Sequence, residues 1–184
     1  MKKPIIYTIV FAVVFVFGGW YIFSQKMVAE GPIATTPADY KDIAYTIDGM
    51  VITLTNGRSE VEAAPGSATM ITTTYFGNEI RKDLDGDGRE DVAFLLTQNS
   101  GGSGTFYYVV AALNTPNGYV GSNAYLLGDR IAPQNTESGD GYSIVVQYAD
   151  RAAGESFAVA PSVGKSVRLM MNPETKSFTL YTMQ

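Results

Sequence analysis

A chain of 184 residues with 46% hydrophobic and 17% charged side chains can bury one core of ordinary size. It contains neither cysteine nor histidine. That excludes disulfides, thiolate or imidazole metal sites, Cys/His nucleophilic pairs and Ser-His-Asp triads, and leaves carboxylate chemistry with hard cations. The formal charge is −5, but three of the 13 basic residues, Lys2, Lys3 and Lys26, belong to the N-terminal segment, leaving 10 against 18 acidic residues from Met27 onward. A domain at −8 repels phosphate backbones, and no basic stripe offsets this, so nucleic acid is not expected as a partner.

Lys2 and Lys3 precede an apolar run from Ile5 to Phe23 that only Thr8 and Gly18-Gly19 interrupt. As a helix it would be roughly 28 Å long, close to the thickness of a hydrocarbon core. Residues 1–23 therefore read as a single transmembrane signal anchor. The leading lysines and the acidic chain behind the run place the N-terminus in the cytoplasm and the rest outside, at the cell membrane. A cleaved signal peptide shares the charged start. The length of the run and the bulky Met27 in Met27-Val28-Ala29 favour retention.

Residues 24–42 turn small and polar, with Pro32 and Pro37, and read as an extended linker. From residue 43 to 184 the apolar period is two. β-branched and aromatic runs occur at Ile43–Ile47, Val51–Thr55, Met70–Phe76, Val92–Thr97, Phe106–Leu113, Tyr119–Leu127, Tyr142–Tyr148, Val167–Met171 and Phe178–Tyr181. Turn residues such as Asp48-Gly49, Asn56-Gly57 and Asn117-Gly118 separate them. The expected class is all-β, about nine to twelve strands in an antiparallel sandwich or partly open barrel, with the first strands as a meander.

Between two of these runs lies Asp83-Leu84-Asp85-Gly86-Asp87-Gly88-Arg89-Glu90-Asp91. Carboxylates at loop positions one, three, five and nine, with glycine at six, let one short turn wrap several hard oxygens around one calcium ion. Four carboxylates so close would repel one another by around 1 kcal/mol per near pair even in water. The expected ligands are Asp83, Asp85, Asp87 and Asp91 through side chains and Arg89 through its carbonyl, with the Arg89 side chain in solvent. Phe94 stands where an EF-hand carries its glutamate, and a strand pattern follows directly.

This loop, present once in the chain, resembles the Asp-x-Asp-Gly-Asp-Gly-x-x-Asp calcium loops of FG-GAP and related bacterial adhesion repeats, which implies the same ligand set. A longer resemblance runs from about Tyr75 to Arg151. Its blocks are Tyr75–Glu79, Val92–Asn99, Gly101–Tyr108 and Gly128–Gln134, and they are similar to a group of small exported bacterial proteins of uncharacterised function. Some members of that group resemble, elsewhere in their chains, membrane-bound inhibitors of c-type lysozyme. The cysteines usual in those inhibitors are missing, so no inhibitor residue is carried over.

Other constellations point less far. Asn99–Gly104 is glycine-rich but lacks the Lys-Ser/Thr and helix of a phosphate loop, and reads as a hairpin connection. Tyr107 with Tyr119, Tyr125 or Tyr142 suits a sugar-stacking platform, while tyrosine is also an ordinary strand former. Glu79, Asp129, Glu137 and Glu155 show no acid–base spacing, and Lys165-Ser166 point to opposite strand faces. Asp129-Arg130 and Asp150-Arg151 read as surface ion pairs. The expectation is a membrane-anchored extracytoplasmic module of the bacterial envelope, stabilised by calcium, with a binding or structural role toward an envelope protein or polysaccharide and no catalytic residue. The alternative is a hydrolase of cell-wall polysaccharide, or a lysozyme-type hydrolase inhibitor.

Overall fold

The computed structural model describes residues 39–181; the expected anchor and most of the expected linker lie outside them. Twelve strands and no helix are found among the described residues: β1 (Ala44–Ile47), β2 (Met50–Thr53), β3 (Arg58–Glu62), β4 (Met70–Lys82), β5 (Asp91–Asn99), β6 (Phe106–Thr115), β7 (Gly118–Gly121), β8 (Tyr125–Asp129), β9 (Ala132–Ser138), β10 (Ser143–Asp150), β11 (Val163–Asn172) and β12 (Ser177–Leu180). The fold is all-β and its strand pairs are antiparallel.

Three sheets form. The largest runs β3-β4-β5-β6-β7, with β8 also paired to β6; a second runs β12-β11-β10-β9; β1 and β2 make a hairpin. β4 approaches β9, and β8 approaches β12. The two larger sheets thus curl toward each other into a half-barrel, and β1-β2 lies against the other side of the large sheet.

The alternation of side chains explains this layering. On β5 and β6, Ala93, Leu95, Val109, Ala111 and Leu113 join Ile144, Val146, Leu169 and Met171 inside the half-barrel. The alternate residues Val92, Phe94, Leu96, Tyr108, Val110 and Ala112 join Tyr45, Ile47, Ile52 and Leu54 on the opposite face. A strand buried on both faces needs a continuous apolar run, and every residue from Asp91 to Leu96 is buried.

Two close approaches fix the hairpin. At the Asp48-Gly49 turn both residues have positive φ (49° and 80°), the geometry of a tight hairpin. Gly121 lets β1 pass: a Cβ there would sit 2.0 Å from the Ala44 carbonyl oxygen. The Ser122–Ala124 segment then bonds to Thr46 through Thr46 N to Ser122 O (3.2 Å) and Ala124 N to Thr46 O (2.8 Å).

Several boundaries differ from the sequence expectation. β3 and β9 lack an apolar alternation because both are edge strands, where polar residues and Pro133 protect the open side. β4 continues past Phe76 through a bulge at Gly77 (φ 114°) and Asn78 (φ 52°). The run Tyr119–Leu127 divides into β7 and β8 because Asn123 between them bridges to Thr46 and Ser177. Residues 39–42, read as the end of the linker, are held in the domain: Tyr45 Oη donates to Tyr40 O (2.5 Å), and Gly57 N donates to Lys41 O (2.9 Å).

Candidate metal centre

The acidic loop spans the gap between β4 and β5, so its first aspartate follows one strand and its last begins the next. Leu84, set among the carboxylates, is fully buried and belongs to the half-barrel core. That apolar plug holds the loop down. Asp91 is also fully buried and bridges two segments: its Oδ2 accepts from Leu84 N (2.8 Å) and its Oδ1 from Asn114 N (2.7 Å) at the end of β6. Burial pushes the Asp91 carboxyl above its usual range; the two N–H groups oppose that, and Asp85 and Asp87 add to it.

Carboxylate oxygens of Asp83, Asp85 and Asp91 all lie within 4.8 Å of one another. Two oxygens on opposite sides of one calcium ion are about 5 Å apart, so the three residues can hold a single metal ion. The loop arranges them itself. Asp83 accepts from Gly86 N (2.7 Å) and Gly88 N (3.1 Å), and Asp85 from Asp87 N (3.2 Å). Each oxygen keeps a further lone pair for a cation.

The neighbouring basic groups turn elsewhere. Arg89 pairs with Asp87, and its Nε donates to the Asn114 carbonyl. Lys82 Nζ reaches Ser138 Oγ (2.9 Å) and the carbonyls of Gly139 (3.0 Å), Gly141 (2.6 Å) and Ser143 (3.2 Å). Among the described residues no ion pair involves Asp83, Asp85 or Asp91. A hard divalent ion fits a donor set of clustered carboxylates whose charge no side chain balances.

Of the four expected carboxylate ligands, Asp83, Asp85 and Asp91 come together. Asp87 is exposed and faces Arg89, outside the group. The Arg89 side chain keeps 39% of its surface in solvent while it reaches an anion two residues away and a strand-end carbonyl. Two supporting residues carried no local signal. Asn114 takes part through its N–H, its carbonyl and its amide, which donates to Glu90 O (3.2 Å), yet it lies far along the chain on β6. Tyr142 covers Gly86, where a Cβ would meet the phenol ring at 3.2 Å.

The other carboxylates considered above have separate partners. Glu79 Oε1 accepts from Tyr40 and from Tyr75 (2.6 Å), with the Lys41 ammonium 4.0 Å above the Tyr75 ring centroid. Burial works against ionisation of Glu79, but the two phenols, Lys41 and Arg81 outweigh it and hold its carboxyl below the usual range. Asp129 pairs with Arg130 (2.6 Å) and Glu137 with the Asn135 amide (2.9 Å), while Glu155 accepts from Ala152 N (3.0 Å). Asp150 takes Lys165 (2.7 Å) as its partner; the adjacent Arg151 guanidinium goes to the carbonyls of Arg130 (2.8 Å) and Val159 (2.6 Å). Lys165 is thereby drawn to a carboxylate, and Ser166 follows it on the opposite face of β11. Comparison with protein-family models, with curated proteins and with solved structures finds no match for this chain.

Proposed function

We infer that the described domain is an extracytoplasmic module of the bacterial envelope, held to the membrane by residues 1–23, in which one calcium ion ties the β4–β5 loop to the ends of β5 and β6. The observation that supports this most is the set Asp83, Asp85 and Asp91 within 4.8 Å, with the adjacent Lys82 and Arg89 aimed at other partners. Calcium is favoured over magnesium because it accepts irregular oxygen cages and sheds water readily. The likeness of the loop to FG-GAP calcium loops supports the same ion. Modules outside the cell work with calcium sites of about 10⁻⁴ to 10⁻³ M, which external calcium fills.

In this reading the ion clips the strands and the folded surface does the binding. Hydrolysis receives no comparable support, since Glu79, Asp129, Glu137 and Glu155 are each engaged by separate partners. The test is thermal unfolding of the full-length chain in membranes, in calcium, in magnesium and in chelator. Calcium is expected to raise Tm most. Superimposable curves in calcium and chelator sink the metal reading, and protease added to spheroplasts with an intact inner membrane checks the orientation: a domain cut only after lysis is not extracytoplasmic.

A further inference from the structure

On the inner face of the half-barrel, β10 carries Ile144 and Val146 in the core, and β11 carries Leu169 with Val167 packed beside it. The same face continues toward the rim as Tyr148 and Asp150 on β10 and Lys165 on β11, where Tyr148 and Lys165 are cross-strand partners. The row changes there from aliphatic to polar. Asp150, Lys165 and the β10–β11 connection, including Arg151, Gly154, Glu155 and Phe157, enclose an open cleft of about 450 Å³. That lies within the roughly 300–1,000 Å³ of small-molecule sites.

The walls are held in place by the protein itself. Asp150 accepts from Lys165 Nζ (2.7 Å) and from Arg151 N (2.7 Å). Ser162 N donates to Asp150 O (2.9 Å), closing the base of the connection. Arg151 ties its far side to Val159 O and Arg130 O. Phe157 remains 54% exposed, with the Arg130 guanidinium 3.8 Å from its ring centroid. A rigid aromatic ring left half in water, beside fixed polar groups, loses little conformational entropy when a ligand arrives.

Charge decides the ligand class. Lys165 is neutralised by Asp150, Arg130 by Asp129, and Arg151 is committed to carbonyls. The lining sets Asp150 and Glu155 against Arg151 and Lys165, so it is formally neutral and has no net charge to draw in an ion. What the cleft offers is one flat apolar surface and, next to it, a carboxylate and an ammonium side by side. A sugar ring matches that combination: its C–H face stacks on an aromatic ring, and two neighbouring hydroxyls can donate to the carboxylate and accept from the ammonium.

We propose that the cleft formed by Asp150, Lys165 and Phe157 at the rim of the half-barrel binds one residue of a neutral polysaccharide. This takes up the binding half of the function inferred above, and uses none of the residues of the acidic loop.

The test is calorimetric titration of the full-length chain in mild detergent and calcium with short soluble chains of β-1,4-linked glucose and of β-1,4-linked N-acetylglucosamine, and with inorganic phosphate. Saturable binding of at least one neutral series is expected at up to about 10 mM, weakened about tenfold or more by Phe157→Ala and by Lys165→Met, and unchanged by Glu137→Gln. All variants are checked for unaltered Tm; Phe157 is exposed, so its loss leaves both cores intact. Absence of binding by both neutral series overturns the proposal, as does binding that survives both substitutions, or displacement of the sugar by phosphate. Calcium-dependent melting is a separate readout, so either reading can fail without the other.

Discussion

Tyr142 packs closely enough against Gly86 that a Cβ on the glycine would stand 3.2 to 3.4 Å from atoms of the phenol. Gly86 also has φ of 86°, in the left-handed region. Gly86→Ala therefore meets two penalties, a backbone one of about 1–2 kcal/mol and a smaller one that the ring can relieve by turning. Chemical denaturation is expected to show the loss in the single variant, and Tyr142→Ala in the same chain should recover only the smaller part. Full recovery would mean that crowding alone keeps the glycine.

The acidic loop separates its members by role. At a calcium concentration ten times the Kd, binding adds about 1.4 kcal/mol. Asp85→Asn should lose most of that increment and Asp87→Asn little of it, because Asp85 belongs to the clustered group and Asp87 faces Arg89. Melting in calcium and in chelator distinguishes them. Equal losses in the two variants would put Asp87 in the ion's shell.

Asp91→Asn behaves differently, since both Asp91 oxygens accept backbone N–H groups, one buried and one partly buried, and asparagine offers only one acceptor atom. One N–H at Leu84 or Asn114 is left without a partner, at about 1–3 kcal/mol. The destabilisation is expected in chelator as well as in calcium. If it disappears in chelator, Asp91 serves the ion alone.

Glu79 gives the domain an acid-sensitive limb. Its carboxyl is held below the usual range in the folded chain, so its contribution is present above its unfolded pKa of about 4.3 and is lost as pH falls through the lower folded value. Glu79→Gln should flatten stability against pH across that interval and cost about 1 kcal/mol at neutral pH, a small figure because the group is partly exposed. Parallel acid limbs in the two proteins would show that the Tyr40 and Tyr75 bonds carry no stabilisation.

Lys82 secures the β9–β10 turn through one hydroxyl and three carbonyl oxygens. Lys82→Met keeps much of the stem and removes the donors. Hydrogen exchange is expected to quicken at the Gly139 and Ser143 amides, which bond across the turn, and to stay slow along β5. Unchanged exchange in the turn would assign its order to local bonds such as Ser143 Oγ to Asp140 O (2.7 Å).

The alternating runs made the all-β class and most interior strands legible, because burial of one or both faces leaves a trace in side-chain type. Val92–Leu96 and Phe106–Leu113 were readable for that reason. Arg58–Glu62 and Ala132–Ser138 were not, since an edge strand is defined by its backbone partner and its side chains carry no matching apolar pattern. The aspartate spacing located the candidate metal loop but could not show that Arg89 would pair with Asp87. Nor could it reveal Asn114 or Tyr142, which the pairing of β6 and the β9–β10 turn bring to the loop from distant positions.

The hairpin of β5 and β6 serves as a septum common to both apolar clusters, with odd residues turned to one and even residues to the other. Neither compartment has a wall of its own on that side. Melting one strips the other of its lining, so the domain should absorb heat in one calorimetric peak whose van't Hoff and measured enthalpies agree.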